Sequence, residues 1–311
     1  MITILAEKPS VAREIARVTG AMKKEEGYYT GNGYHVTWAL GHLVQPALPD
    51  GYGFKGFRKD SLPVIPEEFM LIPRQVRTDK GYKADAAAVK QIKVITKLWQ
   101  ESEGIIVATD CAREGELIFR YLYAYTGCTL PFRRLWISSL TDAAIRKGMK
   151  ELKDGHEYDN LYLAAKARSE ADWLVGINAT RLFSLLYGTT LNVGRVMSPT
   201  LALIVQREAE IAFFQSEPFY TVQMSCSLLA TTPRMKEKAD AERIAQQCNL
   251  KTAVVKNIDK KRKTEKPPAL YDLTSLQREA NRLFGYTAQQ TLDYAQALYE
   301  KRLLTYPRTD S

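Results

Sequence analysis

Three carboxylates, Asp110, Glu114 and Glu116, fall within seven residues of the stretch GIIVATDCAREGELIFR that begins at Gly104. Crowded carboxylates repel one another unless a cation or a basic partner neutralises them, and a donor set made only of oxygen suits Mg2+. The same acids also read as an acidic first helical turn favoured by the helix dipole. A second charged pair, Glu7 and Lys8, follows the apolar start MITILA. Alone it reads first as a solvated turn with a surface pair.

Both sets need elements that place them. Ile105, Ile106 and Val107 form a short β-branched run, the signature of a strand buried on both faces of a parallel sheet. Arg113 onward has the spacing of a helix, so Asp110 and Glu114 stand at a strand's carboxyl end, where open α/β sheets place ligands. Met1 to Leu5 reads as another strand, with Pro9 and Ser10 suited to start a helix over Val11 to Val18. If the two strands are neighbours in one sheet, Glu7, Lys8, Asp110 and Glu114 converge on one crevice.

Tyr28 to Trp38 alternates around Gly31-Asn32-Gly33 and predicts a hairpin. The Gly- and Pro-rich stretch from Gly41 to Pro73 predicts loop. Helical spacing runs over Lys83 to Gln100, a strand over Arg134 to Ile137, and a helix from Thr141. Strands and helices thus alternate to about Leu152, as in a doubly wound sheet. Leu161 to Asp172, Trp173 to Leu186 and Ser198 to Ile211 read as three helices. Arg168, Arg181, Arg195 and Arg207 beside Tyr162 and Trp173 are compatible with tracking a single nucleic-acid strand, though each residue alone reads first as part of an ordinary helical domain. Phe219 to Leu229 and Thr252 to Ile258 alternate as strands around a helix at Lys236 to Gln247. The basic run Lys256 to Lys266, ending at Pro267-Pro268, marks a boundary. Leu273 to Leu283 and Thr287 to Lys301 form a helix-turn-helix around Phe284-Gly285-Tyr286.

Composition bounds the function class. The 311 residues carry 44 Lys and Arg against 35 Asp and Glu, a net charge of +9, which points to a polyanionic partner. Cys111, Cys128, Cys226 and Cys248 are scattered with no CxxC pair, so neither a zinc module nor a disulfide framework is indicated and a reducing cytosol fits best. No apolar run approaches the ~20 residues of a membrane span. No Gly-rich segment matches a P-loop.

The blocks ILAEKPSVAREIA, GHLVQ, PEEF, ATDCAREGELIF, WISSLT, GINATR, GRVMSPTLALI, TSLQREANRLFGYTAQQTLDYAQALYE and TYPRTDS occur in that order. Together they resemble the type IA DNA topoisomerases, most closely the bacterial topoisomerase III group, across the whole chain. The resemblance implies a multi-domain α+β chain. Residues 1–152 would be an α/β Toprim domain that binds metal, and 153–213 a helical domain for single-stranded DNA. Residues 214–265 would be part of a β arch, and 266–311 the start of a helix-turn-helix-like nucleophile domain. It implies Mg2+ on Glu7, Asp110 and Glu114. The family pattern is Asp-x-Asp-x-Glu, and Ala112 stands here in place of the middle acid.

A tyrosine before Pro-Arg reads by itself as a packed aromatic. The resemblance makes Tyr306 the nucleophile, with Arg308 stabilising the phosphoryl group and Lys8, helped by Glu7, protonating the departing oxygen. It carries DNA contacts to Arg113, Arg181, Arg195, Ser198 and Thr200. The activity implied is ATP-independent cleavage and religation of one strand through a 5'-phosphotyrosine, with strand passage on single-stranded and negatively supercoiled DNA. The setting would be the cytoplasm, at the nucleoid, and a helicase is compatible as a partner. Ser311 lies five residues past Tyr306, so the expectation is single-strand binding without relaxation. A Toprim-type nuclease and a noncatalytic single-strand-binding protein remain the alternatives.

Overall fold

Four parallel strands bring the charged segments together, at the centre of a seven-stranded mixed sheet. In a computed structural model that describes residues 1–79, 81–225 and 229–308, the strand order is Lys153–Asp154, Phe132–Arg134, Gly104–Ala108, Ile2–Ala6, Tyr34–Trp38, Tyr28–Gly31 and Lys23–Glu25. The four from Phe132–Arg134 to Tyr34–Trp38 run parallel, and the edges are antiparallel. Ile2–Ala6 pairs with Gly104–Ala108 in the register Ile2 to Gly104 and Ala6 to Ala108. Glu7 and Thr109 therefore leave the sheet side by side, which brings the Glu7 and Asp110 parts of the two motifs together.

Both faces of these strands are buried because neither alternates with polar residues. Leu5, Ile105 and Val107 pack into one apolar cluster with Ile92, Ile95, Trp99, Leu117 and Phe119. These come from helices α2 (Ala86–Gln100) and α3 (Arg113–Tyr125). Ile4, Ala6, Ile106 and Ala108 pack on the opposite face against Val11 and Ile15 of α1 (Pro9–Thr19) and Ile145 of α4 (Asp142–Lys150). Pro9 starts α1, and Gly20 ends it at φ +84°. The hairpin forms as expected, with Asn32 at φ +47° and Gly33 at φ +83°.

Some boundaries differ from the sequence expectation. Lys83 lies in a strand, Gly81–Ala84, because α2 starts only where the Asp85 side chain accepts from the Ala87 amide at 2.9 Å. The predicted strand at Arg134 to Ile137 is Phe132–Arg134. The loop-rich stretch carries a short ladder between Val44–Pro46 and Leu71–Pro73. The two helices expected between Leu161 and Leu186 are one, α5 (Asp159–Tyr187), since no breaker lies between Asp172 and Trp173. Residues 252–258 form no strand, and the arch-like ladder pairs Gln223–Ser225 with Leu229–Thr231. Cys226 and, in the last block, Thr309, Asp310 and Ser311 lie outside the described residues.

The chain forms two compact units. One comprises Met1–Arg195 and the stretch from Leu270 onward; the other is Val196–Ala269. The second holds α6 (Met197–Ala212) and α7 (Lys238–Cys248). The first ends with α8 (Leu273–Phe284) and α9 (Ala288–Glu300), which pack on each other around Gly285 at φ +68°. No helix among the described residues is long and apolar enough to cross a membrane.

Candidate active site

Asp110 is held from three directions. Its backbone N–H donates to Glu7 Oε2 at 3.2 Å, and its carbonyl accepts from Arg134 Nη2 at 2.8 Å. The first turn of α3 presses against it: a Cβ added to Gly115 would stand 2.2 Å from the Asp110 carbonyl oxygen, so only glycine permits the approach. The carboxylate Oδ2 of Asp110 is buried with no hydrogen-bond partner among the described residues.

Burial, joined by the charge of Asp110, pushes the Glu7 carboxyl up to about 7, against an opposing pull from the Asp110 N–H and Lys8. Two adjacent carboxylates, one reluctant to ionise and one with an orphaned oxygen, form a donor set that fits a hard cation retaining several of its waters.

Tyr306 closes the crevice from the far end of the chain. Its backbone N–H donates to the Ser138 carbonyl at 2.9 Å. Its ring lies edge-on to Tyr299, centroids 5.5 Å apart, and it lines one cavity with Asp110. Burial, the Asp110 contact and the charge of Glu7 raise the Tyr306 phenol well above its ordinary range, while Arg308 pulls it back. Tyr299 is raised by burial and by the same carboxylates. Val11, Ile15, Leu135, Ile137 and Leu140 wall the cavity. Cys111 also lines it, but its thiol donates to the Ile137 carbonyl at 2.8 Å, and burial pushes it up to about 11.

Not every sequence candidate joins this cluster. Glu114 is exposed at the start of α3, where its Oε2 meets His42 Nε2 at 3.3 Å. No group of three or more His, Cys, Asp or Glu side chains suited to a metal occurs among the described residues. Glu116, expected as a further carboxylate of the acidic cluster, is 1% exposed and accepts from Arg134 Nε at 3.1 Å and Arg120 Nε at 2.9 Å. It neutralises Arg134, whose other nitrogens hold the carbonyls of Val107, Thr109 and Asp110. Sequence reasoning missed this arginine. Its only signal was a charge directly before the apolar run Leu135 to Ile137.

The remaining catalytic candidates, Lys8 and Arg308, lie in the first unit, and the DNA-contact candidates fall on both units. Lys8 caps α1 with extended backbone and half-buried side chain, Arg308 is exposed, and Arg113 is exposed with no ion pair among the described residues. Arg195 is engaged by Asp172 through Nε at 2.5 Å and Nη2 at 3.0 Å. Arg181 is 4% exposed, donates to the Phe54 carbonyl at 2.8 Å and leaves Nη1 buried without a partner among the described residues. It presents no guanidinium to a passing strand in this conformation. Ser198 and Thr200 lie on α6 in the second unit, where Thr200 Oγ1 donates to the Val196 carbonyl at 2.7 Å.

Residues 3–140 match the family model of the Toprim domain, and residues 156–311 match the model described as DNA topoisomerase. DNA topoisomerase 3 of Bacillus subtilis (strain 168) is 43% identical over 319 residues, covering 99% of this chain and 43% of the relative. DNA topoisomerase 3 of Shouchella clausii (strain KSM-K16) is 43% identical over 320 residues, again covering 99% of this chain and 43% of the relative. The chain thus spans less than half the length of these relatives. The solved structure of full-length topoisomerase I from Thermotoga maritima shares the fold, with a TM-score of 0.69 at 24% identity over 99% of this chain and 49% of that one.

Proposed function

Because the chain belongs to the bacterial type IA DNA topoisomerases, we propose that it carries the machinery that cuts and reseals one DNA strand through a 5'-phosphotyrosine without ATP. The observation that carries the reading is that Tyr306 lines one cavity with Asp110, whose N–H meets Glu7, at the carboxyl end of the central strands.

In this reading Tyr306 Oη attacks phosphorus, a Tyr–O–P bond forms, the P–O3' bond breaks, and the 3' oxygen takes a proton. Asp110 is placed to accept the phenol proton. Lys8, with Glu7 beside it, is the proton donor for the departing oxygen. Arg308 is the cation whose charge favours the phenolate. In the conformation described, burial and the two carboxylates oppose ionisation of Tyr306. A Mg2+ held by Glu7 and Asp110, with Glu114 as the third candidate, would supply positive charge beside the scissile phosphate. The phosphotyrosine retains the free energy of the broken bond, so resealing reverses the same steps.

The partition of the chain follows: a Toprim domain over 1–152, a helical single-strand groove over 153–213, part of the arch over 214–265, and the start of the nucleophile domain over 266–311. Single-stranded and negatively supercoiled DNA are the substrates proposed, in the cytoplasm at the nucleoid, with a helicase as a compatible partner. Arg113 is free to meet phosphate, Arg195 would exchange Asp172 for it, and Ser198 and Thr200 would add hydroxyl contacts. A second reading, single-strand binding without cleavage, is favoured by Ala112 and by the separation of Glu114 from the Glu7–Asp110 pair.

The test is a denaturing gel of end-labelled single-stranded DNA with Mg2+, comparing the chain with its Tyr306→Phe variant. The expected result is a covalent adduct that disappears in the variant while strand binding persists. Free cut fragments would support a nuclease, intact DNA the binding reading, and an adduct that survives Tyr306→Phe would refute the nucleophile assignment.

A further inference from the structure

Arg302 occupies a backbone position that favours another residue. It sits just past α9 at φ +66°, with its N–H bonded to the Tyr299 carbonyl at 2.8 Å and the next N–H, of Leu303, to the Leu298 carbonyl at 2.9 Å. This is the paired-bond ending of a helix, whose left-handed residue is ordinarily glycine. An arginine held there against backbone preference has its side chain to account for it.

That side chain crosses to two other helices. Arg302 Nη2 donates to Glu14 Oε2 of α1 at 2.5 Å, and Nη1 donates to Asp142 Oδ1 of α4 at 2.9 Å. The two carboxylates are also faced by Arg13 and Arg17, and Arg17 Nη1 reaches Asp142 Oδ2 at 3.0 Å. Glu14 is mostly shielded, with a side-chain exposure of 12%. Four residues later Tyr306 donates its N–H to Ser138. Ser138 lies between the Phe132–Arg134 strand and α4.

We propose that Arg302 is a positioning residue: an ionic latch that seats the Tyr306 segment on α1 and α4 and so sets the register of the tyrosine against Asp110. The proposal rests on the nucleophile reading for its catalytic consequence, though not for the latch itself. Removing Arg302 leaves Glu14 and Asp142 still paired with Arg17, so the latch opens without stranding a charge and the fold persists. The contact is partly exposed, so salt weakens it, as the Debye length falls from about 10 Å at ~0.1 M to about 3 Å at ~1 M.

The experiment measures hydrogen exchange of the Tyr306 amide in the full chain for wild type, Arg302→Gly, Arg302→Ala and Arg302→Lys, at low and high salt. The glycine variant is decisive, because it relieves the left-handed backbone while deleting the latch. We expect exchange about fivefold faster in Arg302→Gly and Arg302→Ala at low salt, partial recovery in Arg302→Lys, and wild type converging on the variants at high salt. Adduct yield on single-stranded DNA should fall in the same order, with strand affinity unchanged. Slow, salt-insensitive exchange in Arg302→Gly would overturn the latch. Accelerated exchange in a chain whose wild type forms no adduct would instead uphold the latch and sink the nucleophile reading.

Discussion

Replacing Glu7 with Gln measures what the crevice costs the fold. The Glu7 carboxyl is raised from 4.5 to about 7, first by burial and then by Asp110. A folded value above the unfolded one means that the contribution to stability is fully present below about pH 4.5 and is lost as pH rises through 7. Above that the native protein carries an ionised Glu7 against burial and a neighbouring negative charge. The separation, at about 1.4 kcal/mol per pH unit, corresponds to about 3 kcal/mol. Glutamine keeps an acceptor for the Asp110 N–H and bears no charge. Glu7→Gln should therefore match wild type near about pH 4.5, exceed it by up to about 3 kcal/mol near about pH 8, and lose adduct formation. Urea unfolding followed by tryptophan fluorescence reads this cleanly, because Trp38, Trp99, Trp136 and Trp173 all lie in the unit that holds the site. Mg2+ at the higher pH should stabilise wild type more than the variant. A stability difference that is the same at both pH values would refute the account of Glu7.

Other changes probe the supports. Glu116→Ala leaves Arg134 buried without its carboxylate and should cost about 3–5 kcal/mol in the same unfolding assay; a loss well under that would mean the backbone carbonyls suffice to hold the guanidinium. Ala112→Asp places a capping side chain at the start of α3, which has no side-chain cap now, and should add about 1 kcal/mol in metal-free buffer. It should also lower the Mg2+ concentration that half-saturates adduct formation, and an unchanged titration would place Ala112 away from the metal. Gly115→Ala forces a methyl onto the Asp110 carbonyl and should destabilise by about 1–3 kcal/mol, with thermal unfolding as the check.

Local pattern made much of this molecule legible. The β-branched run at Ile105 to Val107, the Pro9 start of α1, the hairpin at Asn32-Gly33 and the paired helices around Gly285 are each written in neighbouring residues, because strand alternation, caps and left-handed turns depend on short-range geometry. The sequence also placed Glu7 and Asp110 at the ends of two strands. What it could not supply was the partner of each charge. Glu114 and Glu116 are two residues apart on one helix, yet one turns to His42 at the surface and the other to a buried Arg134. Helical rotation of about 200° between such positions puts them on opposite faces, and only the packing of the sheet decides what each face meets. The same holds for Tyr306, whose seat on Ser138 and Asp110 joins segments distant in the chain. Sequence spacing fixed its chemistry as a phenol beside an arginine, and the tertiary fold alone brought it to the carboxylates.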